Sequence, residues 1–182
     1  LNATDRGWFR DHGQHIPDNK NTATGNGGGA IFRSFFVFDL SGVHTEITTA
    51  YLRLELYRIY LSGFGSIPDD LSFAFTLYGV STNSTQLGLP YDHGSVAGTL
   101  IYEDLGTGTV YGQHIAHSSE VGTVLSLNLS PDAVLELNRR SNDTVVIGVA
   151  LDDTDFGIRA ILFSEVDGGP YTHQLILTTD SA

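Results

Sequence analysis

The stretch FRSFFVFDL, residues 32–40, constrains the fold more than any other part of this 182-residue chain. Side chains of a strand alternate between two faces, so Phe32, Ser34, Phe36, Phe38 and Leu40 share one face while Arg33, Phe35, Val37 and Asp39 share the other. Its apolar residues follow no helical period. The stretch is therefore predicted to be a central strand, apolar on one face and mostly apolar on the other.

The same alternation recurs along the chain. YLRLELYRI sets Leu52, Leu54 and Leu56 against Tyr51, Arg53, Glu55 and Tyr57, and LSFAFTLYGV points Leu71, Phe73, Phe75 and Leu77 inward. VLSLNLS, TVVIGVALD and HQLILTT repeat the pattern with Leu125, Leu127 and Leu129, with Val145, Ile147, Val149 and Leu151, and with Leu175 and Leu177. GTLIYED, TVYGQHIA and RAILFSE are shorter strand candidates. About nine strands with little helix predict an all-β fold, a two-layer antiparallel β-sandwich of jelly-roll type, because each one-faced strand must bury its apolar side against a second sheet.

One short crossover helix is predicted at SPDAVLELNRR. Ser130 suits the N-cap, Pro131 the first helical position and Asp132 the positive end of the helix, while Arg139 and Arg140 suit the negative end. Residues 19–29, NKNTATGNGGG, read as a loop whose glycines permit positive φ. With no domain boundary or internal repeat, residues 1–182 read as a single β-sandwich domain in which residues 1–30 form a loop-rich amino-terminal segment.

Composition narrows the function classes. Hydrophobic residues make up 41% and charged residues 16%, too apolar for a disordered tail, and no apolar run reaches the roughly 18 residues that span a bilayer. A net charge of −12, from 21 acidic residues against nine lysines and arginines, repels phosphate backbones and makes nucleic acid a poor partner. Cysteine and methionine are both absent, so there is no disulfide framework, and a chain starting at Leu1 reads as the processed product of a secreted precursor.

Candidate chemistry is sparse. The spacing H-x-x-H occurs at His12 and His15 and at His114 and His117; residues three apart on a strand face opposite ways, so such a pair chelates a metal only in a loop or helical turn, and the main expectation is surface histidines. Asp152, Asp153 and Asp155 could gather hard oxygen ligands around calcium, yet the stretch lacks EF-hand spacing and a closing glutamate, and the expectation is a solvated acidic loop with no cofactor. Asp69 and Asp70 read as ordinary turn residues. No GxSxG, phosphate loop or HExxH frame is present, and no enzyme activity is expected. Tyr51, Tyr57, Tyr60 and Tyr78 fall opposite the leucine faces, where they stack on sugar rings, are covered by a neighbouring subunit or pack under loops. Asn2, Asn83, Asn128 and Asn142 head N-x-S/T triplets.

The blocks DRGWFRDHGQHIPDNKNTATG, FRSFFVFDLSGVHTEITTAYLRL, FTLYGVST, YEDLGTGTVYG, GTVLSLNLSPDAVLELN and QLILTT together resemble secreted bacterial proteins that often carry a carboxy-terminal PEP-type exosortase sorting signal. The middle block is also similar to DNRLRE-type, carbohydrate-binding-module-like sandwich domains. The resemblance spans nearly the whole chain, is strongest at FFVFDLSG followed by ITTAYLRL, and brings no catalytic residues with it. It implies secretion and association with the cell surface or an exopolysaccharide matrix. The chain departs from the sorted members by ending at TTDSA, without a PEP motif, apolar helix and basic tail.

Two function classes follow. The first is a secreted, non-enzymatic structural subunit of a self-assembling extracellular fibre or matrix, with Leu1, Trp8 and Phe9 donated to a neighbouring copy; in the bland version both rings cap their own sandwich. The alternative is a carbohydrate-binding module acting on cell-surface or matrix polysaccharide through the tyrosines.

Overall fold

The computed structural model describes residues 1–27, 29–61, 69, 71–141, 143–152, 158–162 and 172–180, with the backbone alone described at 61 and 158–162. Eleven strands and three short helices are described: β1 Asp5–Arg10, β2 Ala23–Gly27, β3 Ala30–Asp39, β4 Ile47–Leu56, β5 Arg58–Leu61, β6 Ser72–Gly79, α1 Ser84–Leu87, α2 Val96–Asp104, β7 Val110–His117, β8 Thr123–Asn128, α3 Pro131–Arg139, β9 Thr144–Leu151, β10 Ile158–Leu162 and β11 His173–Thr179. An eight-stranded sheet runs in the order β5-β10-β2-β3-β9-β6-β7, with β1 also paired to β3, and a three-stranded sheet runs β11-β4-β8. Every described strand pairing is antiparallel, and the fold is an all-β sandwich.

The main core lies between the sheets. Phe36, Phe38, Phe75 and Ile147 from the large sheet meet Leu52, Leu54, Leu127 and Leu175 from the small one. The helix α3 crosses between the sheets from β8 to β9, as its sequence predicts: the Ser130 hydroxyl accepts from Ala133 N–H at 3.2 Å, Asp132 and Arg139 sit at the matching ends, and Ala133 and Leu137 are buried.

The second face of β3 has its own cover. Phe35 and Val37 point away from the sandwich into a cluster with Phe9, Leu87, Ile101, Leu105 and Val146. This cover comes from α1 and α2, with Phe9 of the neighbouring β1 completing the cluster, and two parts of the fold depart from the sequence reading. GTLIYED, expected as a strand, lies within α2: Ser95 caps the helix by accepting from Gly98 N–H at 3.2 Å, after a turn in which Gly94 takes a φ of 84°. Short α1, capped by Asn83, was outside the expected single crossover helix. Residues 23–27, expected as loop, form β2, because pairing to β3 and β10 uses main-chain groups that glycines supply as well as any residue. Thr24 Oγ1 and Ser34 Oγ close a buried hydrogen bond of 2.6 Å across that pairing. Of RAILFSE, 159–162 fall in β10 and the rest lie outside the described residues.

Gly148, in the middle of β9, lets the end of α2 touch the sheet. A Cβ there would stand 2.4 Å from the Leu105 carbonyl oxygen, a main-chain atom that cannot swing aside. Arg33 on β3 secures the same helix end, donating to the Tyr102 carbonyl at 2.9 Å with its guanidinium 4.2 Å from the centre of the Tyr102 ring.

Because β3 is covered on both sides, Phe35→Ala and Phe36→Ala are each expected to cost about 3–5 kcal/mol in urea unfolding. Gly148→Ala is expected to cost about 1–3 kcal/mol through overpacking alone. A loss below about 1 kcal/mol at Phe35 would mean that the helical layer is not packed on the sheet.

Candidate functional site

Trp8 and Phe9 are core residues of their own domain. Strand β1 pairs with β3 from Asp5 opposite Val37 to Arg10 opposite Phe32, and it buries Gly7, Trp8 and Phe9 together. Phe9 stacks on the His15 ring with centroids 4.3 Å apart, and Trp8 meets Phe32 edge-on at 5.3 Å beneath the Arg10 guanidinium. The structure thus places these rings as the caps of their own sandwich, and only Leu1 of the expected interface residues is exposed.

The other candidate residues are dispersed. Tyr51 lies on the outer face of the three-stranded sheet, opposite Asn128 and Ile176, while Tyr78 lies on the outer face of the large sheet. Tyr57 and Tyr60 flank the Arg58 guanidinium, which donates to the Tyr60 hydroxyl at 3.0 Å. No single tyrosine platform results. Asp152 directly follows β9 and accepts from the Thr76 hydroxyl at 2.6 Å, whereas Asp153 and Asp155 lie outside the described residues. Among the described residues no group of three or more His, Cys, Asp or Glu side chains is arranged to hold a metal. No described helix is long and apolar enough to cross a membrane.

The histidines divide in a way that spacing did not reveal. His12 stacks on His93 at 3.9 Å, and His15, expected at the surface, is buried with Nδ1 2.6 Å from the Trp8 carbonyl oxygen. Chiefly through burial, the His15 pKa is held below its usual 6.5.

Strand β11 forms one edge of the small sheet among the described residues, and residues 1–3 pair along part of it. The Leu1 ammonium donates to Leu175 O at 2.7 Å, Leu175 N–H returns to Leu1 O at 2.9 Å, and Ala3 N–H reaches His173 O at 2.9 Å. The chain then passes to the large sheet, where Thr4 N–H donates to Val37 O at 2.8 Å. Residues 1–3 therefore act as an added strand that ends at Leu175. In an antiparallel ladder, alternate residues aim both main-chain groups to the same side, so Leu177 presents its N–H and C=O outward as Leu175 does. Those groups of Leu177 have no partner among the described residues. A groove of about 370 Å³ runs beside them, lined by Leu1, Val43, His44, Thr45, Ile176 and Thr179 among others.

The edge at β7 is treated differently. Ser130 covers one end, bonding to the carbonyls of Tyr111 at 2.7 Å and Val110 at 3.0 Å, and the Glu120 carboxylate accepts from His117 N–H at the other, at 2.8 Å. Such blocking protects an edge from unwanted pairing. Strand β11 contains no lysine, proline or acidic residue to do the same.

The edge left few marks in the sequence, since HQLILTT reads like any one-faced strand. No protein-family description matches the chain, and no curated protein matches it either.

The buried histidine sets a pH window. An unfolded chain takes up a proton near pH 6.5 that folded His15 accepts only at lower pH, so the unfolded state binds more protons there and stability falls as pH drops through that value. The urea midpoint is therefore expected to decline from about pH 7 to about pH 5.5 in the wild type and to stay nearly level in His15→Phe. An equal decline in both would assign the effect to other groups.

Proposed function

We propose that this chain is a secreted, non-enzymatic structural subunit of an extracellular fibre or matrix, and that copies join by strand addition at the free part of β11. The carrying observation is Leu177, whose outward main-chain groups continue a ladder already begun by residues 1–3. Main-chain hydrogen bonds supply the attachment in such a joint, and the adjoining groove receives alternate side chains of the incoming strand. The setting outside the cell draws its support from the sequence blocks that resemble sorted bacterial surface proteins.

The carbohydrate-binding alternative keeps one specific support. Tyr51 offers a ring on the outer face of the small sheet, and beside it Arg53 donates to Gln174 at 3.2 Å and Gln174 to Asn2 at 3.0 Å, a row of planar polar groups suited to sugar hydroxyls.

Negative-stain electron microscopy and sedimentation of the purified chain test assembly. Wild type is expected to form filaments or higher oligomers, as is Leu177→Ala, which keeps its amide. Leu177→Pro loses the outward N–H, and one interfacial hydrogen bond corresponds to roughly a tenfold higher concentration needed for assembly. A wild-type chain that stays monomeric at about millimolar concentration would remove the reading.

A further inference from the structure

A second groove, of about 300 Å³, lies on the other side of the molecule, between α1 and α2 over the large sheet. We propose that it binds a neutral pyranose ring, either a free sugar or one residue of a glycan. The proposal stands apart from the assembly reading, which uses the small sheet.

The groove has two unlike walls. One is apolar: Tyr91, Ala97 and Leu100 stand over buried Ile101, and Leu100 is 66% exposed although it belongs to a helix whose opposite side is already packed. Leu89 nearby is 48% exposed. Aliphatic groups left open beside an aromatic ring suit the C–H face of a sugar.

The other wall is polar and already ordered. The Asp104 carboxylate accepts from Ser81 N–H at 3.0 Å and Thr82 N–H at 2.7 Å, and from their hydroxyls at 3.0 and 2.6 Å. Three of those bonds fall on Oδ2, so Oδ1, with the Ser81 hydroxyl alone, keeps an acceptor site. Gln86 accepts from Asn83 through Oε1 at 3.0 Å, which orients its amide and leaves Nε2 as a donor. An acceptor and a donor held along one wall match adjacent hydroxyls, which both give and take hydrogen bonds. The carboxylate also selects by charge. In a protein of net charge −12, a uronate or phosphate approaching Asp104 meets repulsion, so the ligand is a neutral ring. The volume lies at the small end of ligand sites and accommodates about one ring, for which affinity in the range of about 1–10 mM is expected.

The test is an amide NMR titration with the methyl pyranosides of glucose, galactose and mannose, and with glucuronate, each to about 50 mM. At least one neutral pyranoside is expected to give saturable shifts at Thr82, Gln86, Tyr91 and Leu100, with glucuronate much weaker. Leu100→Asp, at an exposed position that leaves the core untouched, is expected to weaken binding by about tenfold or more, and Gln86→Ala by several-fold. The proposal is overturned if none of the neutral pyranosides saturates, if glucuronate binds as well as they do, or if Leu100→Asp binds as the wild type does.

Discussion

Burial of β3 on both faces is the condition from which the rest of the structure follows. Phe36 and Phe38 demand an apolar cover on one side and Phe35 and Val37 on the other, and no single sheet can supply both. The three-stranded sheet answers the first need. The second is met by the two helices between β6 and β7, which bring Leu87, Ile101 and Leu105 down onto the strand beside Phe9 of its neighbour β1. A sandwich with a third layer results.

That third layer is held by polar contacts as much as by apolar ones. Asp104 ties the end of α2 to Ser81 and Thr82, and Arg33 reaches across from β3 to its last carbonyls. A carboxylate near a helix C-terminus is disfavoured by the helix dipole, and the four donors around Asp104 offset that penalty. The same contacts leave the outward side of α2 uncovered, which is why an ordered polar wall and open apolar side chains share one groove. At the opposite side, residues 1–4 run from the edge of the small sheet to the large one and join the two sheets through the main chain. Among the described residues, the outward main-chain groups of Leu177 beyond this pairing have no partner.

Elements whose signals are local could be read directly. The helix α3 announces itself through Ser130, Pro131 and Asp132, and its cap forms as the residues require. The leucine rows of β4 and β8 match their buried sides, and Val145, Ile147, Val149 and Leu151 of β9 lie in the main core although the other face of that strand is buried as well. By contrast, Leu100, Ile101 and Tyr102 are consecutive apolar residues, a run that suits a strand as well as a helix, and only Ser95 and Gly94 ahead of it favour the helix. In β2 the side chains offer no strand signal at all. His15 carried a charge-bearing identity that suggested the surface, yet it fills a slot between Trp8, Phe9 and Phe35.

What the sequence by itself determined was the period-two alternation, the helix with its own cap, and a net charge of −12. These depend on neighbours along the chain or on composition, which a sequence states outright. Only the tertiary structure decided where Trp8 and Phe9 dock, that Tyr51 and Tyr78 lie on the outer faces of different sheets, that the outward main-chain groups of Leu177 lack a partner among the described residues, and that Leu100 stays exposed beside Asp104. Each of these depends on which distant segment covers a given face or edge. Alternation tells which residues need cover, and only the folded chain settles what supplies it.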